Sequence, residues 1–164
     1  MPAAAAPPTT AVQPPPVGTR LVVRTRVLDG ILTGGAAAVL AGVAWWALAT
    51  FTELDWWQYG AAGVGLVVGA GTLVGARKGG LVPGIIALAF ATVATVLGAY
   101  FIDRSLTIAG LEDVGRTSDI PLWNGFGEVT AVITDWIDFD LVRAAGWVLG
   151  PLLALVVAVA GRRN

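Results

Sequence analysis

The 164-residue sequence has no cysteine and no histidine. Without cysteine there are no disulfides, thiolate-held clusters or thiol nucleophiles. Without histidine the chain lacks the commonest general base, the commonest metal ligand and the usual haem ligand. No Ser–His–Asp, Cys–His or zinc constellation can be assembled from what remains. Charge is also scarce: 13% of residues, against about a quarter in soluble domains. Lysine occurs once, and the other nine basic residues are arginines. The run Gly75-Ala-Arg-Lys-Gly-Gly80 lacks the spacing of a phosphate loop, and the glycines at 63, 65 and 69 miss the dinucleotide fingerprint. No basic stripe suited to nucleic acid is present. The sequence thus points away from an enzyme: it offers no catalytic, cofactor-binding or metal residues, and no small-molecule substrate is evident.

What is present is apolar. Mean hydropathy is +0.77, and hydrophobic residues make up 56% of the chain. Four apolar stretches, at about 30–52, 56–76, 81–102 and 141–161, have the length that crosses a bilayer core of about 30 Å. The first three contain no charged residue, and the fourth only Arg143 near its start. The expected fold class is an all-α membrane protein: four transmembrane helices in a small bundle plus one amphipathic helix on the outer membrane surface. Residues 1–19 read as a disordered Ala/Pro-rich cytoplasmic tail, which is no signal peptide, and 20–29 as a basic juxtamembrane segment. The membrane domain then covers 30–161, with the outer loop and amphipathic helix at 103–140. Asp29 reads as the N-cap of the first span.

Signs are segregated along the chain. Arg20, Arg24, Arg26, Arg77, Lys78, Arg162 and Arg163 fall on one side of such a bundle, and Arg104, Arg116 and Arg143 on the other. The positive-inside rule then places both termini in the cytoplasm. Around the acidic turn Glu53–Asp55, aromatic residues collect at the outer level: Trp45, Trp46, Trp56, Trp57 and Tyr100, joined by Trp136, read as interfacial anchors.

Glycine, 22 residues in all, recurs at helical spacing. Gly65, Gly69, Gly71 and Gly75 on the second span and Gly146 and Gly150 on the fourth read as helix-packing surfaces, because small residues four apart let backbones approach closely. The second span, small on more than one face, is expected to be central. Pro83 suits the first turn of the third span, and Pro151 is expected to kink the fourth. Thr33, Thr72, Thr92 and Thr95 are expected to bond their own helix backbones. The run 126-FGEVTAVITDWID-138 places Phe126, Val129, Val132, Ile133, Trp136 and Ile137 within about 140° of a helical wheel. Its opposite side carries Glu128, Asp135 and Asp138. That acidic face either covers the outer ends of the bundle or meets a cationic partner; a calcium site at Asp135, Asp138 and Asp140 matches no EF-hand spacing.

The segments FTELDWWQYGAAGVGLVVGAGTLVGARKGG (51–80) and GIIALAFATVATVLGAYF (84–101) resemble a glycine-rich hairpin and following helix of small, uncharacterised bacterial four-helix integral membrane proteins. FDLVRAAGWVLGPLLALVVA (139–158) is similar to their last helix. The resemblance implies a bacterial membrane protein and carries no catalytic residues. The acidic outer helix and the Pro-rich tail depart from it.

The function these readings favour is a non-catalytic accessory or scaffolding subunit of a bacterial inner-membrane complex. Its partners would be membrane lipids and other membrane protein subunits or itself. The alternative is a small transporter or channel working as a homo-oligomer, although no ionisable group lies in the interior of any of the four spans. A lipid-acting enzyme using Asp103 or Glu128 stands behind both.

Overall fold

In the computed structural model, residues 18–52, 59–115, 120–139 and 141–161 are described; side chains of 18–25 and 135–144 are not. The described residues form five helices and no strand: α1 (Gly18–Phe51), α2 (Gly60–Ala76), α3 (Leu81–Asp113), α4 (Phe126–Phe139) and α5 (Leu141–Ala160). The segment expected to form a tail, up to residue 17, and the turn residues Glu53, Asp55, Trp56 and Trp57 lie outside the described residues.

Two helices run past the ends expected for them. α1 begins at Gly18, so Asp29 is a helix-interior residue and no N-cap; its carbonyl accepts the Thr33 hydroxyl at 2.8 Å. α3 continues through Asp103 and Arg104 to Asp113. Neither extension contains proline, and charge ends an apolar run without ending a helix. α1 and α3 contain apolar stretches long enough to cross a membrane, Arg26–Phe51 and Leu81–Asp113. α2 and the Ala145–Ala160 part of α5 are shorter apolar helices.

α2 ends where Arg77 takes a left-handed conformation, φ 58°, and its N–H bonds the Leu73 carbonyl at 2.9 Å. Gly79 and Gly80 then turn the chain into α3, whose first turn accommodates Pro83 because an N–H there would have no helical partner. α5 remains helical through Pro151.

Neighbouring helices are ordered α1–α2–α5–α3, with α3 returning to α1 and α2 also touching α3. α1 and α5 therefore sit on opposite sides of a central α2–α3 pair. Gly30 abuts Ala76 and Gly34 abuts Thr72, so α1 and α2 are antiparallel. Gly65 and Gly69 abut Gly150 and Ala154, which makes α2 and α5 parallel. The start of α1's apolar run, the α2–α3 turn and the end of α5 thus share one end of the bundle; the Gly80 N–H bonds the Ala158 carbonyl there. The other end holds Trp45, Gly60, Gly98 and α4.

The core is made of small residues. Ala61, Val68, Ala87, Ala91, Ala99, Ala154 and Ala158 are fully buried. A Cβ on Gly65 would overlap the Gly150 carbonyl, and one on Gly150 would overlap that of Ala61. A Cβ on Gly69 would stand 2.8 Å from the Ala154 carbonyl oxygen, and one on Gly71 2.6 Å from the Ala37 Cβ. A Cβ on Gly75 would overlap the Thr33 hydroxyl and the Asp29 carbonyl. Gly146 is buried on α5.

Gly65→Val should therefore separate α2 from α5 and destabilise the bundle by about 1–3 kcal/mol or more. Gly63, which has open space around it, is the matched control: Gly63→Ala should be neutral or stabilise by about 0.5–1 kcal/mol through helix propensity. Unfolding midpoints in a mild detergent measure both.

Candidate functional site

Chemistry-bearing side chains gather at the end of the bundle where α3 runs past its neighbours. Arg104, one turn beyond Tyr100 on α3, places Nη1 3.1 Å from the Glu128 carboxylate on α4. Its Nε donates to the Pro121 carbonyl at 3.1 Å. The Asn124 side-chain amide also donates to Glu128. The backbone N–H of Asn124 donates to the Tyr100 hydroxyl at 3.1 Å. Gly125, at φ 96°, turns the chain into α4, a conformation that an L side chain rarely adopts.

An aromatic cluster closes around these bonds. Tyr100 meets Trp123 edge-on with centroids 5.5 Å apart, and Trp123 meets Phe126 at 5.2 Å. Phe101 packs on Tyr100 at 5.4 Å. The approach to α4 is therefore tied to α3 by one ion pair, two hydrogen bonds and edge-on rings. Glu128 belongs to this latch, which uses its carboxylate within the chain. The side chains of Asp135, Trp136 and Asp138 lie outside the described residues, so the acidic face is seen at Glu128 alone.

The aromatic residues read as interfacial anchors divide. Trp45 and Tyr100 point into the bundle, with 5% and 1% of their surface exposed. Trp45 fills the space above Gly60 and Gly98, where a Cβ on either glycine would strike its indole. The missing glycine side chains thus explain why a ring expected at the headgroup level is buried. Trp46 is half-buried and donates its indole N–H to the Ser105 hydroxyl at 2.9 Å.

Between α1 and α3 lies a groove of ≈ 660 Å³. Gly35, Ala38 and Gly42 line it on α1, and Phe90, Ala94, Leu97 and Gly98 on α3. Trp46, Phe101 and Leu122 stand at its α4 end. Sequence reading passed over this feature, although Gly35, Ala38 and Gly42 carry helical small-residue spacing. The position of Phe90 and Leu122 had no signal, because it depends on how α1 and α3 cross and on the loop before α4. A second cavity of ≈ 300 Å³ lies between α3 and α5 beside Pro151, Trp147 and Thr95. Thr33, Thr72 and Thr92 each donate to a carbonyl one turn back. Thr95, expected to do likewise, is buried and makes no hydrogen bond, because its hydroxyl is turned toward α5 near Gly150.

Chemically, the site combines a fixed polar latch with a hydrocarbon-lined groove. Among the described residues, no group of three or more Asp or Glu side chains converges to hold a metal ion. Tyr100→Phe should remove the acceptor of the Asn124 N–H, cost about 0.5–1.5 kcal/mol and speed hydrogen exchange at that amide. Glu128→Gln should weaken the partly exposed ion pair by about 0.2–1 kcal/mol, an effect read as faster proteolysis between 115 and 126. No protein family, curated protein or solved structure matches this chain.

Proposed function

We propose that the chain is an integral membrane protein in which α1, α2, α3 and α5 all cross the lipid. In this reading it acts without catalysis, as an accessory or scaffolding subunit of a bacterial inner-membrane complex. One observation carries the reading: all four helices turn large apolar side chains outward. Leu32 and Leu40 on α1, Leu66 and Val74 on α2, Ile85 and Val93 on α3, and Leu149 and Val156 on α5 are 45% or more exposed. Contiguous apolar surface of this extent suits hydrocarbon and is rare on soluble monomers. α2, with 17 residues, is about 26 Å long. That is close to the thickness of the lipid core.

The arrangement of ends supports the orientation read from charge. Arg26, Arg77 and Lys78 stand at one end of the bundle, the cytoplasmic one, while Asp103, Glu112, Asp113 and Glu128 stand at the other. Scaffolding rather than transport is supported by the interior. Its buried polar side chains among the described residues are Thr72 and Thr95, and Thr72 is committed to the Val68 carbonyl. The buried hydroxyls left unpaired, those of Thr95 and Thr50, do not line a polar path through a protomer. The glycine faces of α2 and α5 are used within the bundle, so a partner would meet the outward apolar faces or the α4 end.

Because the natural chain has no cysteine, single Lys78→Cys and Glu112→Cys variants give unambiguous labelling. An impermeant maleimide applied to intact cells should label position 112 and leave 78 untouched. Gentle extraction from native membranes should recover the chain with a stoichiometric membrane partner. A solitary monomer would count against the scaffolding role.

A further inference from the structure

We propose that the groove between α1 and α3 is a lipid-binding site that holds one acyl chain of a glycerophospholipid. The inference rests on the reading of the chain as membrane-spanning and goes beyond it by naming what fills this surface.

Length and closure carry the argument. Gly35 to Trp46 on α1 and Phe90 to Phe101 on α3 are each twelve residues, eleven helical rises, so the groove is about 16 Å long. That is about half of a hydrocarbon core of about 30 Å, the depth of one leaflet. The end toward the middle of the bundle is obstructed. Phe90, near the middle of α3's uncharged run 81–102, lies against Gly35, its ring 3.6 Å from where a Cβ would stand. At the other end, Leu122, from the loop before α4, and Phe101, from α3, line the groove. A transmembrane helix, of this chain's second copy or of another protein, must continue through both leaflets and would run into Phe90. A single hydrocarbon chain that enters near the headgroups and stops at the midplane does not.

The rims favour the same occupant. Val39, Val43 and Val93 are more than half exposed, so the groove opens sideways toward lipid. Its floor is made of Gly35, Ala38, Gly42, Ala94 and Gly98, which add no polar side chain to it. At the mouth, Arg104 continues the Val93, Leu97, Phe101 row of α3 by one turn and is paired with Glu128. The Trp46 indole N–H is given to Ser105. With these groups paired to one another, the tail is what the site recognises and the headgroup is not.

Photolabelling of the purified full chain tests this. It is reconstituted in phosphatidylcholine vesicles doped with a phosphatidylcholine that carries a mid-chain diazirine, and insertion is mapped by mass spectrometry. Val43 and Val93 in the groove are 54% and 55% exposed, and Val67 on α2 and Leu149 on α5 are 50% and 51%. At about 1.5 Å per residue, Val43 and Leu149 lie about 3 Å below the Trp45 layer and Val93 and Val67 about 8–10 Å below it, so Val43 is compared with Leu149 and Val93 with Val67. Insertion at Val43, Val93 and Leu97 is expected to exceed that at Val67 and Leu149 several-fold. The excess is expected to be the same when the probe and vesicles are phosphatidylglycerol. Val43→Trp, which fills the groove from an exposed rim, should abolish the excess at Leu97 and leave Val67 and Leu149 unchanged. Equal insertion at all five positions overturns the site while leaving the membrane reading intact. No insertion anywhere overturns both. An excess confined to the anionic lipid, or a protein helix cross-linked in the groove, overturns the assignment to an acyl chain.

Discussion

Gly65 and Gly150 meet with no side chain between them, and the positions of the other helices follow from that contact. Where lipid surrounds a bundle, burying apolar surface gives no net drive, because lipid tails are as apolar as the side chains. Dispersion between closely approaching backbones then has to hold the helices together. α2 has small residues on two faces: Gly65 and Gly69 toward α5, Gly71 and Gly75 toward α1. It is thereby gripped from both sides, and α3 completes the ring by touching α1, α2 and α5. The tolerance is small. At Gly65, Gly75 and Gly150 one added carbon would overlap a backbone carbonyl of the neighbouring helix.

The same packing sets where polarity can go. Thr33, Thr72 and Thr92 give their hydroxyls to their own helices while Thr95 keeps its own unpaired, and ionisable groups collect at the two ends. At the α4 end, Arg104 and Glu128 neutralise each other while Tyr100 orders the backbone at Asn124. These contacts hold the loop at 120–125 against α3, and that loop brings Leu122 to the end of the α1–α3 groove. A polar latch thus shapes an apolar surface. This link joins the α4 end to the proposed lipid site.

Much of the helix order was legible in the sequence because it follows from local patterns. Apolar runs, turn glycines at 79 and 80, and Pro83 mark the boundaries of α2 and α3, and the wheel of 126–138 marks α4. Helix ends at charged residues were less legible. Asp29 and Asp103 each mark where an apolar run stops, yet the backbone continues as helix through both. The direction of the aromatic rings was not legible either. Trp45 and Trp46 are neighbours of the same type, but Gly60 and Gly98 open a space for the first alone. Such spaces arise from pairing between helices distant in sequence. The groove is hidden for the same reason: its α1 side carries a small-residue pattern, while its ends depend on Phe90 and Leu122.

α2 is the shortest of the four helices proposed to cross the lipid, and that proposal requires its outward face to lie in hydrocarbon. Nitroxide labels at Leu66, Val67 and Val74 of the reconstituted chain report this directly through collision with oxygen and with a water-soluble nickel chelate. The account predicts strong relaxation by oxygen and little by the chelate at all three positions. Ready access of the chelate to those positions would contradict it.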